Sequence, residues 1–331
     1  MTKNSNRVTL EDIAKATGFT SNTVSRALKN KPDISRQTSE RIQQVAREMG
    51  YVRNYMASSL RSGRSRTIAM ITGTMINPYY AILADLLQEE AAKLGYSLMI
   101  LCSRDDLETE LKAVEMALSR QVDGVLITPA DVDTPGLDLL RSSRLPFVLL
   151  SRYLRMENDD SVIQDDEQGG YLAGRYLLEN GHRKLAYLSY RHVVYSTRTR
   201  WEGFQRACRE AGVPEENILY AEVCSNDTVL PQLKAWIREG VTGLFSFCDL
   251  EAWRIISLLE QGGFSVPKDL AIVGFDNIQG YTGYSRPLPS IDGHLQEEAR
   301  TAIELIRNRI HNPDLPPQHV VIPVTLVLPE D

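Results

Sequence analysis

From Val8 to Asn30 the chain reads V-T-L-E-D-I-A-K-A-T-G-F-T-S-N-T-V-S-R-A-L-K-N, with Ser21, Asn22, Thr23, Ser25 and Arg26 together in its second half. Short hydroxyl and amide side chains beside one guanidinium are suited to meet base edges and phosphate oxygens. The chemistry this stretch can do is therefore recognition of nucleic acid. Elsewhere there is no G-x-S-x-G, H-E-x-x-H or Walker loop, His294, His311 and His319 lack partners at metal-ligand spacing, and His182 reads as a structural hydrogen-bonder in the turn G-H-R-K. The expectation is a binding protein without catalytic residues, metal or cofactor.

Two short helices must carry these groups. Leu10, Ile13 and Ala14 recur at helical spacing, and Asp12, three residues after Thr9, makes an aspartate version of the capping box. Gly18 follows where a left-handed residue is needed, and Thr20 offers a second N-cap. Val24, Ala27 and Leu28 form one apolar stripe, which leaves the polar set on the opposite face. This is a helix-turn-helix pattern, although two amphipathic helices of an ordinary core would show the same periodicity. Ser35 then caps a third helix running to about Met49, with Ile42, Val45 and Ala46 on one side and Gly50 as its stop.

Charge favours the first reading. The 331 residues are 43% hydrophobic and 24% charged, enough for two or three ordinary globular domains. The net charge of -6 is unevenly placed: residues 1–66 hold 13 Lys+Arg against 5 Asp+Glu, a net of +8, leaving 24 against 38, or -14, for the remainder. A basic head on an acidic body concentrates phosphate attraction at one end. The stretch from Gly50 to Arg66 is basic, and its six or seven residues of helical pattern from Asn54, with Met56, Ala57 and Leu60, are too few to be stable alone. It reads either as a segment that folds on DNA or as a plain tether. Cys102, Cys208, Cys224 and Cys248 form no C-x-x-C, and no signal peptide or membrane-length apolar run is present, so the chain reads as cytoplasmic with reduced thiols.

From Thr67 short apolar strands alternate with amphipathic helices. Strands are expected at T-I-A-M-I-T, S-L-M-I-L, G-V-L-I-T and F-V-L-L. They continue at L-A-Y-L-S, about 219–223, G-L-F-S-F and L-A-I-V-G-F, and one last strand covers Val320–Val327. That alternation predicts parallel, doubly wound sheets in two α/β halves, with a cleft beyond the carboxyl ends of the strands.

The chain resembles the LacI/GalR family of bacterial transcription regulators along nearly its whole length. The likeness is carried by Val8–Asn30, by G-Y-V-R-N-Y-M-A-S-S-L and, in the body, by I-N-P-Y-Y, L-G-Y-S-L, V-D-G-V-L, G-H-R-K-L-A-Y-L, R-W-E-G-F and V-G-F-D-N in that order. The resemblance implies an all-α helix-turn-helix headpiece (1–50), a hinge helix and linker (51–66) and a bilobed core like a periplasmic binding protein (67–331). It also implies a homodimer on a pseudo-palindromic operator. Ser21, Asn22 and Arg26 are then the base-reading candidates, with Thr9, Thr23, Ser25 and Asn30 at the backbone. Asn54, Ala57 and Leu60 belong to the minor-groove hinge, where Leu60 would wedge between base pairs. Arg53 departs from the family's usual proline. Proline there would lower the free linker's entropy by about 0.4–1 kcal/mol, so Arg53→Pro is expected to tighten operator binding at high salt, as a filter-binding titration would read.

For the effector the resemblance points to Arg200 and Asp276, a guanidinium and a carboxylate able to hold neighbouring hydroxyls. It adds Asn77, Tyr79 and Tyr80 at the first crossover helix, Ser151 and Arg152 after F-V-L-L, and Cys248 and Asp249 before the helix of the second lobe. Tyr79 and Tyr80 could stack on a ring or pack the surface between lobes. Cys248 stands where the family usually has an amide. Arg191, His192, Arg198 and Arg200 gather cations near one loop, which leaves a phosphorylated or acidic effector open beside a neutral sugar. The expected partners are double-stranded operator DNA, a sugar or sugar derivative and a second copy of the chain, with no membrane. The chain ends shortly after its last strand, without C-terminal heptads, so a dimer is expected.

Overall fold

The computed structural model describes residues 8–52, 63–131, 134–152, 158–190, 195–223, 226–282 and 288–329. The chain divides into two compact units, Met1–Ser65 and Arg66–Asp331. The hinge candidates Arg53, Asn54, Ala57 and Leu60 lie outside the described residues, as do Arg191 and His192.

In the first unit, helices α1 (Leu10–Thr17), α2 (Ser21–Ala27) and α3 (Arg36–Glu48) enclose Ile13, Ala14, Val24, Ala27, Ile42 and Ala46. Each begins on a hydroxyl cap. The Thr9 hydroxyl accepts from the Asp12 amide at 3.3 Å, and the Asp12 carboxylate accepts from the Thr9 amide at 2.8 Å. Thr20 and Ser35 cap the other two helices. Such caps contribute about 1 kcal/mol apiece, a large share for so small a core. Gly18 takes the left-handed conformation, φ 77°, that turns α1 into α2.

The second unit has two lobes, each built on a six-stranded sheet. In chain order the first-lobe strands are β1 (Thr67–Thr72), β2 (Ser97–Cys102), β3 (Gly124–Ile127), β4 (Phe147–Leu150) and β5 (Asp160–Gln164). Those of the second lobe are β6 (Leu185–Tyr190), β7 (Ile218–Val223), β8 (Gly243–Ser246), β9 (Ala271–Phe275) and β10 (Ser290–Asp292). The last two are β11 (His319–Ile322) and β12 (Thr325–Val327). The sheets run β11-β5-β4-β3-β1-β2 and β12-β10-β9-β8-β6-β7. Every pairing is parallel except β10 with β12.

The second unit departs from expectation in three places. β5 and β10 are strands whose short, polar sequences, D-S-V-I-Q and S-I-D, give no apolar run. Val320–Val327 is two strands: Pro323 cannot continue a ladder, and the chain there leaves one sheet and joins the other, antiparallel. The chain therefore crosses between lobes three times, after Gln164, after Asp292 and at Pro323. Of the helices, α4 (Pro78–Lys93), α5 (Leu107–Ser119) and α6 (Pro135–Ser143) cover the first sheet. The second lobe holds α7 (Asp166–Glu179), α8 (Tyr195–Glu210), α9 (Asn226–Arg238), α10 (Asp249–Gln261) and the one-turn α11 (Gln279–Thr282). The late helix α12 (Leu295–His311) returns to the first lobe, burying Leu295, Ala299, Ala302, Ile303 and Ile306 against Ile68, Met70 and Leu83.

In the second lobe α7 and α8 meet backbone to backbone. A methyl on Gly203 would fall on the Glu167 carbonyl, and one on Gly170 on the Arg200 carbonyl, both far inside the 3.0 Å that real Cβ atoms essentially never breach. Gly174 meets Ala207 one turn further along. No described helix is long and apolar enough to cross a membrane.

Candidate functional site

On the headpiece, Ser21, Asn22, Arg26 and Asn30 are exposed and Thr23 and Ser25 half-exposed, because Val24 and Ala27 turn the other face inward. Several polar groups are already engaged. Arg26 donates from Nε and Nη2 to Asp33 Oδ2 at 2.7 and 2.6 Å, the Asn30 side chain accepts from Gln43 at 2.7 Å, and the Thr23 hydroxyl lies 3.0 Å from that of Thr20. Thr9 is committed to its cap. Sequence reasoning missed Asp33, which sits in the K-P-D loop seven residues after Arg26. The pair is half-exposed and adds little to stability. It does fix where the guanidinium stands.

The second unit contains a cavity of about 710 Å³ between its lobes. The lining follows the strand ends. Thr74 follows β1, Arg104 and Asp105 follow β2, Ala130 and Asp131 follow β3, and Ser151 and Arg152 follow β4. Gln164 ends β5, Phe247 and Cys248 follow β8, and Asp276 follows β9. This is where parallel sheets leave loop backbone and helix N-termini free for a ligand. Asn77, Tyr79, Tyr80, Ser196, Arg200 and Glu251 complete the polar lining. Arg104, Asp105, Ser151, Asp276 and Asn277 all have positive φ, between 48° and 99°, so strained backbone gathers at these rims.

Arg200, on α8, is the buried centre of the second-lobe wall. It donates from Nε to Asp166 at 2.7 Å and from Nη1 to the Phe247 carbonyl at 2.6 Å, and its guanidinium lies 3.4 Å from the centre of the Phe275 ring. Asp276 is 3.9 Å from Nη2. Burial raises the pKa of Asp166 and pushes that of Asp276 well up, the arginine offsetting part of the effect in each. The first-lobe wall is a network around Glu298 of α12, fully buried, which Ser151, Tyr79 and Gln164 reach at 2.7, 3.2 and 3.0 Å. Arg152 donates to Asp105 at 2.9 Å and to the Pro129 carbonyl at 2.7 Å.

Of the expected effector residues, Asn77, Tyr79, Tyr80, Ser151, Arg152, Arg200, Cys248 and Asp276 line the cavity. Tyr79 is buried and hydrogen-bonded by its hydroxyl, with the half-exposed Tyr80 edge-on to it, ring centres 5.1 Å apart. Two do not line it. Arg198 is half-exposed and pairs with Glu202 at 3.4 Å, since residues two apart on a helix do not share a face with Arg200. Asp249, first in α10, turns back to accept from Ser290 at 2.6 Å and from the Ile278 amide at 2.9 Å, so it supports the Asp276 loop from behind. Gln164, Asp105 and Glu298 were not foreseen. Asp105 could have been, since R-D-D comes two residues after an expected strand.

Burial raises both Glu298 and Asp249 to about 7. A carboxyl whose folded pKa exceeds its unfolded value contributes stability that is complete below the unfolded pKa and is lost as pH rises through the folded one. The protein is therefore expected to melt at higher temperature near pH 6 than near pH 8. Below the folded pKa the loss runs at up to about 1.4 kcal/mol per pH step for each carboxyl. Calorimetry of Asp249→Asn should show a flatter pH profile in that window; an unchanged slope would refute the assignment.

The sequence profile of bacterial regulatory proteins of the lacI family matches residues 9–54, and that of a periplasmic binding protein-like domain matches residues 175–328. The HTH-type transcriptional repressor PurR of Aliivibrio fischeri (strain MJ11) is 30% identical over 312 residues, spanning 92% of this chain and 93% of the relative. PurR of Photobacterium profundum is 29% identical over 306 residues, spanning 91% and 92%. Among solved structures, a LacI family transcriptional regulator from Enterococcus faecium with bound ribose is 26% identical, with a TM-score of 0.71 over 79% of this chain and 96% of that one. The lac repressor dimer bound to operator and the anti-inducer ONPF shares the fold, with a TM-score of 0.83 at 22% identity over 97% and 98%.

Proposed function

The chain belongs to the lacI family of bacterial regulatory proteins, and from that premise we propose that it is a cytoplasmic repressor, without enzymatic activity. It binds a pseudo-palindromic operator as a homodimer and changes its grip on DNA when a neutral sugar or sugar derivative occupies the cleft. One conjunction carries this reading. A capped helix-turn-helix with an exposed polar face shares a polypeptide with a cleft whose buried Arg200 stands between Asp166 and Asp276. Coupling is the difference in effector affinity between the DNA-competent and incompetent arrangements of the lobes.

A neutral effector suits the cleft better than a phosphorylated one. The described lining sets Asp105, Asp131, Glu251 and Asp276 against Arg104, Arg152 and Arg200. Arg152 and Arg200 already donate to Asp105 and Asp166. A phosphate would have to displace carboxylates from both. The ribose held by the Enterococcus faecium relative points the same way.

The direct test is operator selection from random duplexes with the full-length protein, followed by anisotropy titrations over a range of salt. An inverted repeat, and an affinity falling linearly in log salt, are expected. Arg26→Ala should cost about 1–3 kcal/mol per half-site on the selected operator and far less on random DNA. Equal losses on both would make Arg26 a phosphate contact only. No selected repeat would remove the repressor reading.

A further inference from the structure

One patch of the first-lobe wall of the cleft has a one-sided hydrogen-bonding character, set by a carboxylate that does not itself line the cavity. Glu298 has no exposed surface, and its three partners, Ser151, Tyr79 and Gln164, all do line the cavity. Above the pH near 7 to which burial raises Glu298 the carboxylate is ionised and only accepts, so its partners must turn hydrogens toward it. Ser151 Oγ donates to Oε1 at 2.7 Å. Gln164 Nε2 donates to Oε2 at 3.0 Å and to Tyr79 Oη at 3.2 Å; the carboxylate fixes the orientation of the amide, since the amide oxygen in that place would face another acceptor. Tyr79 Oη has one hydrogen, directed either to Oε2 at 3.2 Å or to Ser151 Oγ at 2.8 Å. Every hydrogen on the polar atoms of these three side chains is thus held inside the network. What they retain for the cleft is lone pairs.

The arrangement is built with little slack. A Cβ on Gly293 would lie inside the Gln164 side-chain amide, so the crossing from β10 to α12 has room for that amide only because residue 293 is glycine. Asp105 adds a further acceptor on the same lobe, whereas Arg104 and Arg152 bring donors to other parts of that wall, so the one-sided character belongs to the patch of Ser151, Tyr79 and Gln164. We propose that Glu298 is the positioning residue that makes the Ser151–Tyr79–Gln164 patch of the first-lobe wall an acceptor surface. The effector therefore engages this patch through clustered hydroxyl hydrogens of a neutral polyol, and an anionic group is refused there. This rests on the cleft being the effector site, and it adds the polarity of one patch and the residue that sets it.

Two measurements on the full-length protein test it separately from that reading. The first is neutron diffraction from deuterium-exchanged crystals at about pH 8, above the value to which burial raises Glu298. The deuterons of Ser151, Tyr79 and the Gln164 amide are expected on lines within the network; one pointing from Ser151 or Tyr79 into the cavity overturns the proposal. The second is calorimetric titration, at the same pH, with D-ribose, its monofluoro-deoxy analogues and ribose 5-phosphate, on the natural protein and on Glu298→Gln. Fluorine cannot donate, so the analogue altered at the patch should bind about tenfold more weakly than ribose, and the phosphate should not gain affinity. In Glu298→Gln the new amide supplies hydrogens to the network, frees a hydroxyl to turn outward and should narrow that ratio to below about threefold. An unchanged ratio overturns the proposal, because loss of packing alone would weaken both ligands together. If no probe binds while the deuterons lie as expected, the sugar reading of the cleft falls and the acceptor patch stands.

Discussion

Gly203→Ala is expected to leave the second unit without a normal cooperative melt. The added methyl would fall on the Glu167 carbonyl of the facing helix, and no side-chain rotamer can relieve a clash between a Cβ and backbone. Typical overpacking costs about 1–3 kcal/mol because neighbouring side chains give way. Here α7 and α8 must move apart bodily, so the cost should exceed the top of that range, against a total stability of about 5–15 kcal/mol for an ordinary domain. Gly170→Ala should be as severe, with a functional signature, since the carbonyl it meets belongs to Arg200. Differential scanning calorimetry would decide. A melting point lowered by less than about 2 °C, which for a unit this long means a loss under 1 kcal/mol, would show that the helices slide apart freely.

Arg200→Met should be nearly as damaging and should also silence the effector response. Its methylene stem would be replaced, but Asp166 would lose its 2.7 Å partner while remaining buried, and Asp276 would lose the only cation near it among the described residues. Removing one side of a buried ion pair costs about 3–5 kcal/mol, mostly from the charge left behind. Adding Asp166→Asn should therefore recover part of the stability without recovering the response. Urea melts of the two single variants and the double variant form the cycle that reads this coupling. A destabilisation that is merely additive would mean the pair is not coupled. Arg200→Lys should fold, yet respond poorly, because an ammonium cannot donate to Asp166 and the Phe247 carbonyl in one plane.

What the sequence reveals of this protein is mostly local. Thr9, Thr20 and Ser35 announce helix starts because a cap depends on its own three or four residues, and Gly18 announces the turn for the same reason. Continuous apolar strands such as T-I-A-M-I-T reveal a sheet buried on both faces. The resemblance points to Ser151, Arg152, Cys248 and Asp276, and each follows a strand end that borders the cavity. Partnership across long separations is what stays hidden. Glu298 in L-Q-E-E-A looks like any acid in a helix's first turns. Its burial follows only from α12 packing on a sheet whose strands were laid down far earlier. Asp249 reads as a cleft acid beside Cys248. Its inward turn depends on Ser290, in a three-residue strand that has no sequence signal of its own.

The second crossing, after Asp292, has a consequence for how the protein comes into being. The strand β11 and the covering helix α12 of the first lobe follow every residue of β6 through β10 in the chain, and β12 comes later still. On the ribosome, about 5–20 residues emerge each second, so the first-lobe sheet waits with β5 as an open edge and one face covered by α4 alone while β6 through β10 are made. Neither lobe is a contiguous stretch that could be inherited, expressed or degraded by itself. A nascent or truncated chain exposes an unpaired strand edge of the kind that draws chaperones and seeds aggregation, and it lacks Glu298, the partner that Ser151, Tyr79 and Gln164 share. Quality control and signal reception are thus tied to the same late segment: a copy that can feel its effector is one whose synthesis has been carried through.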